Sequence, residues 1–260
     1  VRLFVLFLLI LPCLAFADDA NNNSPDDSVV RNPIDFVRKK LLDVRVGPGY
    51  DAYENIRVHG QDVTGSHSGV VPLYDARIGP VNFSNIFDQA NFTKGKGPRL
   101  GLLFTYTGDA YRSPGFANRD KTLFGGGFLG YGCLTLYGYS DLLGKKAGVI
   151  YVAHFAPLLF RIGKTLEFFF VAEAEYMNRL YVDYYFGVRA WEANATLTSY
   201  DGRPSLNASA TLLLEWKFSR PLEFTMWATE KNYGVGVTDS PTVALKHAYN
   251  MGAGLLLRIF

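Results

Sequence analysis

From residue 206 to residue 218 the chain alternates between two chemistries with a period of two. Leu206, Ala208, Ala210, Leu212, Leu214, Trp216 and Phe218 are apolar, while Asn207, Ser209, Thr211, Glu215 and Lys217 between them are polar. This period sends the two sets to opposite faces of an extended strand, whereas a helix would scatter them around its axis. Other segments repeat the pattern. Leu100, Leu102, Phe104 and Tyr106 share a face opposite Arg99, Thr105 and Thr107. Leu166, Phe168, Phe170, Ala172 and Ala174 stand opposite Glu167, Glu173 and Glu175, and Met251, Ala253, Leu255, Leu257 and Ile259 form one face near the end. Strands that are apolar on one side and charged on the other suit a wall between lipid and water.

Residues 1–17 read as an export signal: Arg2, an apolar run over 3–14, then Ala15-Phe16-Ala17 ahead of Asp18-Asp19. The run falls short of the roughly 20 apolar residues a spanning helix needs. Cleavage after Ala17 would carry the rest into the bacterial envelope and leave Cys133 as its one cysteine, without an intrachain disulfide. Lys and Arg number 26 against 24 Asp and Glu, so no basic excess marks a nucleic-acid binder. The most apolar later stretch, 147–162, holds His154 and Pro157 and is bounded by Lys145-Lys146 and Arg161, which favours a strand over a membrane helix. The expected fold is therefore all-β: an antiparallel transmembrane β-barrel of bacterial outer-membrane type, with membrane lipid against its apolar face. Residues 1–17 are the signal, 18–40 a periplasmic segment and 41–260 the barrel.

Ten strands are expected, starting near residues 42, 70, 81, 99, 123, 147, 166, 206, 222 and 249. Counts of eight or twelve stay open, because the glycine-rich 123–139 stretch, taken here as one strand, is open to a reading as two, and 81–87 is weak. An even count puts both termini at one side. Segments 54–67, 88–98, 140–146, 177–205 and 234–248 then become outward loops, while 79–80, 161–164 and 219–221 are short periplasmic turns. The 108–121 segment is the exception, long where brevity is expected. It is the candidate periplasmic surface for a partner protein, through Arg112, Arg119, Asp120 and Lys121.

Glu167, Glu173, Glu175, Glu215 and Lys217 are expected to face the lumen, where a barrel this narrow favours paired charges over an open channel. No cofactor or metal site is expected. Gly125-x-Gly127-x-x-Gly130 has the spacing of a dinucleotide loop but lacks a following helix and acidic residue, and reads as a curved strand. His59 and His67, with Asp62, Ser66 and Ser68 nearby, raise an outer-membrane hydrolase as a third reading. One loop rarely holds nucleophile, base and orienting group together, so the chain reads as no enzyme. His154 reads as structural. Tyr181, Tyr184, Tyr185, Phe186 and Trp191 read as an interfacial aromatic girdle.

Several segments resemble one family in order and spacing. Val46-Gly47-Pro48-Gly49-Tyr50 and Val71-Pro72-Leu73-Tyr74-Asp75-Ala76-Arg77 look like its first two strands. Tyr185-Phe186-Gly187-Val188 is similar to its Tyr-Phe-Gly-Val segment, and Asp239-Ser240-Pro241 with Val243 to the segment before its last strand. The family is that of the MipA/OmpV outer-membrane proteins, named for an MltA-interacting member. The resemblance covers about residues 44–260. It implies a non-catalytic structural protein that links the outer membrane to peptidoglycan-remodelling enzymes, a murein hydrolase and a murein synthase. It carries over no contact residue. A narrow porin-like channel is the alternative.

Overall fold

The structure is a computed structural model that describes residues 42–57, 66–78, 81–84 and 98–259. The expected export signal, the 18–40 segment, His59, the 79–80 turn and most of the 88–98 loop lie outside the described residues, as does the side chain of His67. Among the described residues twelve strands form one sheet: β1 (Leu42–Glu54), β2 (Ser66–Ile78), β3 (Val81–Ser84), β4 (Arg99–Thr107), β5 (Thr122–Tyr131), β6 (Leu134–Asp141), β7 (Val149–Phe155), β8 (Leu158–Ile162), β9 (Leu166–Met177), β10 (Ser205–Lys217), β11 (Leu222–Asn232) and β12 (His247–Arg258). Helix α1 (Arg179–Phe186) follows β9, and α2 (Val235–Thr238) precedes β12. Among the described residues no helix is long and apolar enough to cross a membrane.

Pairing is antiparallel between successive strands, with two departures. β3 runs parallel to β4 over three residue pairs. β7 and β8 both lie against β9, β7 along its later half and β8 along its earlier half. β9 also pairs with β10, and β12 pairs with β1, so the pairings run in a circuit that is narrowest at β3. The expected ten strands become twelve for two local reasons. Gly132, with φ of +57°, turns the chain between β5 and β6 in the middle of the 123–139 stretch. Pro157, which has no N–H to give a ladder, separates β7 from β8.

The alternation read from the sequence is the alternation of the two faces. On β10, Leu206, Leu212 and Trp216 are exposed on the outside, while Asn207, Thr211 and Glu215 are buried inside. Leu100 and Leu102 of β4, and Met251, Leu255 and Leu257 of β12, likewise face outward. Leu213 breaks the alternation because the lumen has an apolar layer of its own. There it packs with Leu73, Phe169, Val171, Trp227 and Leu256.

Strand direction corrects one expectation. Because β4 runs with β3, and β3 with β1, the 108–121 segment leaves β4 at the end where the 55–65, 142–148, 178–204 and 233–246 connections lie. It is therefore not on the short-turn side, which instead holds 132–133, 163–165, 218–221, the start of β1 and the end of β12.

Candidate functional site

The lumen is filled in layers, and its charged side chains meet partners across the barrel. At the short-turn end Arg45 of β1 reaches Asp75 of β2 at 2.8 Å and Glu223 of β11 at 3.5 Å. Glu167 accepts from both Arg161 and Lys217, Lys217 lies 3.9 Å from Glu215, and Arg258 reaches Asp43 at 3.1 Å. A cavity of about 630 Å³ opens beside this cluster, lined by Arg45, Lys217, Arg220, Glu223, Leu256 and Arg258 among others. The apolar layer around Phe169 and Trp227 follows.

Deeper still, Glu173 pairs with His154 at 2.8 Å, and the Tyr137 hydroxyl lies 3.2 Å from the other imidazole nitrogen. Glu175 binds Lys231 at 2.6 Å and accepts a hydrogen bond from Asn207 at 3.0 Å. Of the five expected lumen charges, Glu167, Glu175, Glu215 and Lys217 thus have oppositely charged neighbours, and Glu173 meets the His154 imidazole. Two charges taken out of water need this, since desolving either alone costs several kcal/mol. His154 is a member of this packing.

The long-loop end is capped. Arg119 is buried and holds Glu192 in a two-pronged ion pair, each oxygen 2.6 Å away. The same guanidinium donates to the Gly187 carbonyl at 3.1 Å, while Glu192 also accepts from the Ala117 and Arg189 amides at 2.8 and 2.9 Å. Arg57 lies nearby, over the Phe186 ring at 3.9 Å, and donates to the Tyr185 carbonyl at 2.8 Å and to Thr242 at 3.0 Å. Ser240 donates to the Phe186 carbonyl at 2.6 Å. Gly108, with φ of +135°, lies against the Tyr185 ring, where any Cβ would collide with the phenol. Four connections are therefore bound into one body.

Burial sets the ionisation here. Desolvation lowers the pKa of Arg57 to about 10, which leaves it charged at neutral pH. Tyr181 is raised well above the ordinary tyrosine range, by burial first and then by Asp109, whose carboxylate accepts from its hydroxyl at 2.8 Å. Burial works against ionised Glu192, but the bonds from Arg119 and from the Arg189 and Ala117 amides outweigh it and hold its pKa below the usual value.

The sequence-derived candidates separate at this end. Arg119 is internal to the cap and unavailable to a partner protein. Arg112 and Asp120 make an exposed ion pair at 3.0 Å, and Lys121 stays exposed beside them. The aromatic girdle expected at 181–191 is a correction: Tyr181, Tyr185 and Phe186 are buried inside the cap, and Trp191 alone of the five is largely exposed. Gly125, Gly127 and Gly130 lie in β5 between β4 and β6, so they form no nucleotide loop. Among the described residues no group of three or more His, Cys, Asp or Glu is placed to hold a metal ion. Residues 57, 192 and 109 were not anticipated. The available signal was that the Tyr185-Phe186 and Asp239-Ser240 segments stood out, and the structure brings them together around Arg57.

An antiparallel sheet with an apolar outer skin, paired charges within, short turns at one end and long loops at the other defines an outer-membrane β-barrel protein. More narrowly, the chain belongs to the MipA family: the profile described as MltA-interacting protein MipA matches residues 44–258. Among solved structures it is similar to OmpT, an outer membrane protein of Vibrio cholerae, at 12% identity and a TM-score of 0.26, covering 84% of this chain and 52% of that one. The outer membrane protein OprD of Pseudomonas aeruginosa matches at 11% identity and a TM-score of 0.30, with 85% and 65% covered. The chain thus spans about half the length of the first and 65% of the second. Among curated proteins none matches it.

Proposed function

We propose that this outer-membrane protein is a non-catalytic scaffold whose short-turn end faces the periplasm and recruits a murein hydrolase, and with it a murein synthase. The observation that carries this reading is membership of a family described by its MltA-interacting member. The filled interior adds support. Paired charges, the Phe169–Trp227 apolar layer and the Arg57–Arg119 cap occupy the volume through which a solute would pass. Brevity of the 132–133, 163–165 and 218–221 turns supports a periplasmic setting for their end, by the general habit of such barrels.

The test is affinity capture from cross-linked envelopes with the purified MltA-type transglycosylase as the named probe. Co-purification is expected. Its absence at native expression levels, with the barrel correctly folded, removes the scaffold reading. In planar bilayers the same preparation is expected to give no reproducible single-channel steps, and regular steps would favour the channel instead.

A further inference from the structure

β8 has a free edge. β9 lies along one side of it, while the strand on the other side, β6, begins at Leu134, opposite Phe155. The last bond on that side runs from the Ala156 amide to the Cys133 carbonyl at 2.8 Å. From Leu158 to Ile162 no described residue pairs along this edge, and Leu159, Phe160 and Ile162 are 49%, 49% and 58% exposed. An open sheet edge is not tolerated in hydrocarbon, so this edge belongs to the watery side of the interface. The outward aromatic pairs beside it, Phe160 on Phe168 at 4.3 Å and Trp216 near Phe218 at 4.0 Å, fit an interfacial belt.

Charge around the edge is sorted by depth. Glu167, Glu215 and Glu223 turn into the lumen and are buried, whereas Arg161, Lys164, Arg220 and Arg258 are exposed on the rim. Arg161 and Arg258 already hold Glu167 and Asp43, so the basic charge that meets the outside at this end is that of Lys164 and Arg220.

We propose that the Leu158–Ile162 edge binds an extended segment of a partner protein by strand addition, and that the segment alternates apolar residues with acidic ones. Main-chain bonds supply the attraction, Phe160 and Ile162 meet the apolar residues, and the basic rim meets the acids. A second copy of this chain is a poor occupant, because antiparallel pairing of two β8 edges would invert one barrel relative to the other in a shared membrane. The acidic 18–27 stretch of the chain itself, with Asp18, Asp19, Asp26 and Asp27, offers no apolar alternation to match. This inference rests on the scaffold reading for its biological setting, though not for its chemistry.

The experiment follows amide exchange in the whole mature protein in detergent micelles, with a nine-residue peptide of alternating valine and glutamate as probe. Amides over 158–162 are expected to slow by about tenfold or more when the peptide is added, and a version with proline at alternate positions should have no effect. Lys164→Glu with Arg220→Glu should weaken binding by about threefold or more. Equal binding of the proline peptide overturns strand addition, and indifference to the double reversal overturns the role of the rim. Amides over 158–162 that are already protected without peptide, by dimerisation or by residues 18–41, overturn the proposal entirely. If the peptide binds but the transglycosylase is not captured, the scaffold reading falls and the edge site stands; the converse sinks the edge site alone.

Discussion

Arg119→Ala should destabilise the folded protein by about 3–5 kcal/mol, because it strands a buried carboxylate whose other bonds are only to amides. The Glu192 side chain has no solvent exposure, and Arg119 has 2%. Removing the guanidinium also frees the Gly187 carbonyl and loosens the 108–121 segment from the 187–192 turn. Urea midpoints in detergent, or the temperature at which the compact form disappears on a gel, read the change. Arg119→Met combined with Glu192→Leu should be less destabilised than Arg119→Ala, since no charge is left without a partner. A double variant worse than both singles would show that the pair does more than neutralise itself.

The same pair predicts an acid limit. Glu192 has a folded pKa below its unfolded value, so its contribution is fully present above the ordinary glutamate pKa of about 4.3 and is lost as pH falls through the lower folded value. The cap of the native protein should thus hold down to pH values below that figure. In Glu192→Gln this acid-dependent part should vanish. Protease nicking within residues 108–121 as a function of pH reports it, and nicking that begins near neutrality in the native protein would contradict the pairing.

Leu212→Arg should cost about 2–4 kcal/mol for folding into lipid bilayers, the penalty for a cation near mid-membrane on a barrel's outer face. Leu212 is 59% exposed and lies between Leu206 and Trp216 on the outward side of β10. Its neighbour Thr211 faces the lumen, where its hydroxyl lies 2.8 Å from that of Thr229. Thr211→Val should therefore cost only about 1 kcal/mol, the net worth of one ordinary hydrogen bond. Adjacent residues with such unlike penalties are a direct readout of which side meets lipid. Equal costs would mean that the outer skin had been assigned to the wrong face.

Much of the wall was legible because its signal is local. Leu206 through Lys217 announces both faces of β10, and the Glu167–Glu175 run announces the inner face of β9. The β5–β6 stretch was harder. Gly125, Gly126, Gly127 and Gly130 carry no side chains to alternate, so the turn at Gly132 was hidden among like residues. Merging those strands and treating β3 and β4 as antiparallel were two errors of direction that cancelled, so all later loops fell at the right end and only 108–121 was misplaced. The cap was illegible for a different reason. Arg119 and Glu192 are 73 residues apart, and Arg57 and Thr242 are 185 apart. No local period reports a pairing made by four separate connections. Hence Tyr185 and Phe186 were taken for membrane aromatics, when the Phe186 ring lies under the buried Arg57 guanidinium and the Tyr185 ring packs against Gly108 and Tyr181.

The seam between β1 and β12, where Arg45 stands opposite Arg258 and Tyr53 opposite Asn250, joins the first ladder of the chain to the last. Nothing made earlier in synthesis can substitute for it, because a ring with its final stave missing exposes two raw margins to hydrocarbon. Assembly is thereby obliged to wait for β12 and then to be all-or-none. A fragment ending anywhere before residue 247 should remain a client of chaperones, however faithfully its individual hairpins form.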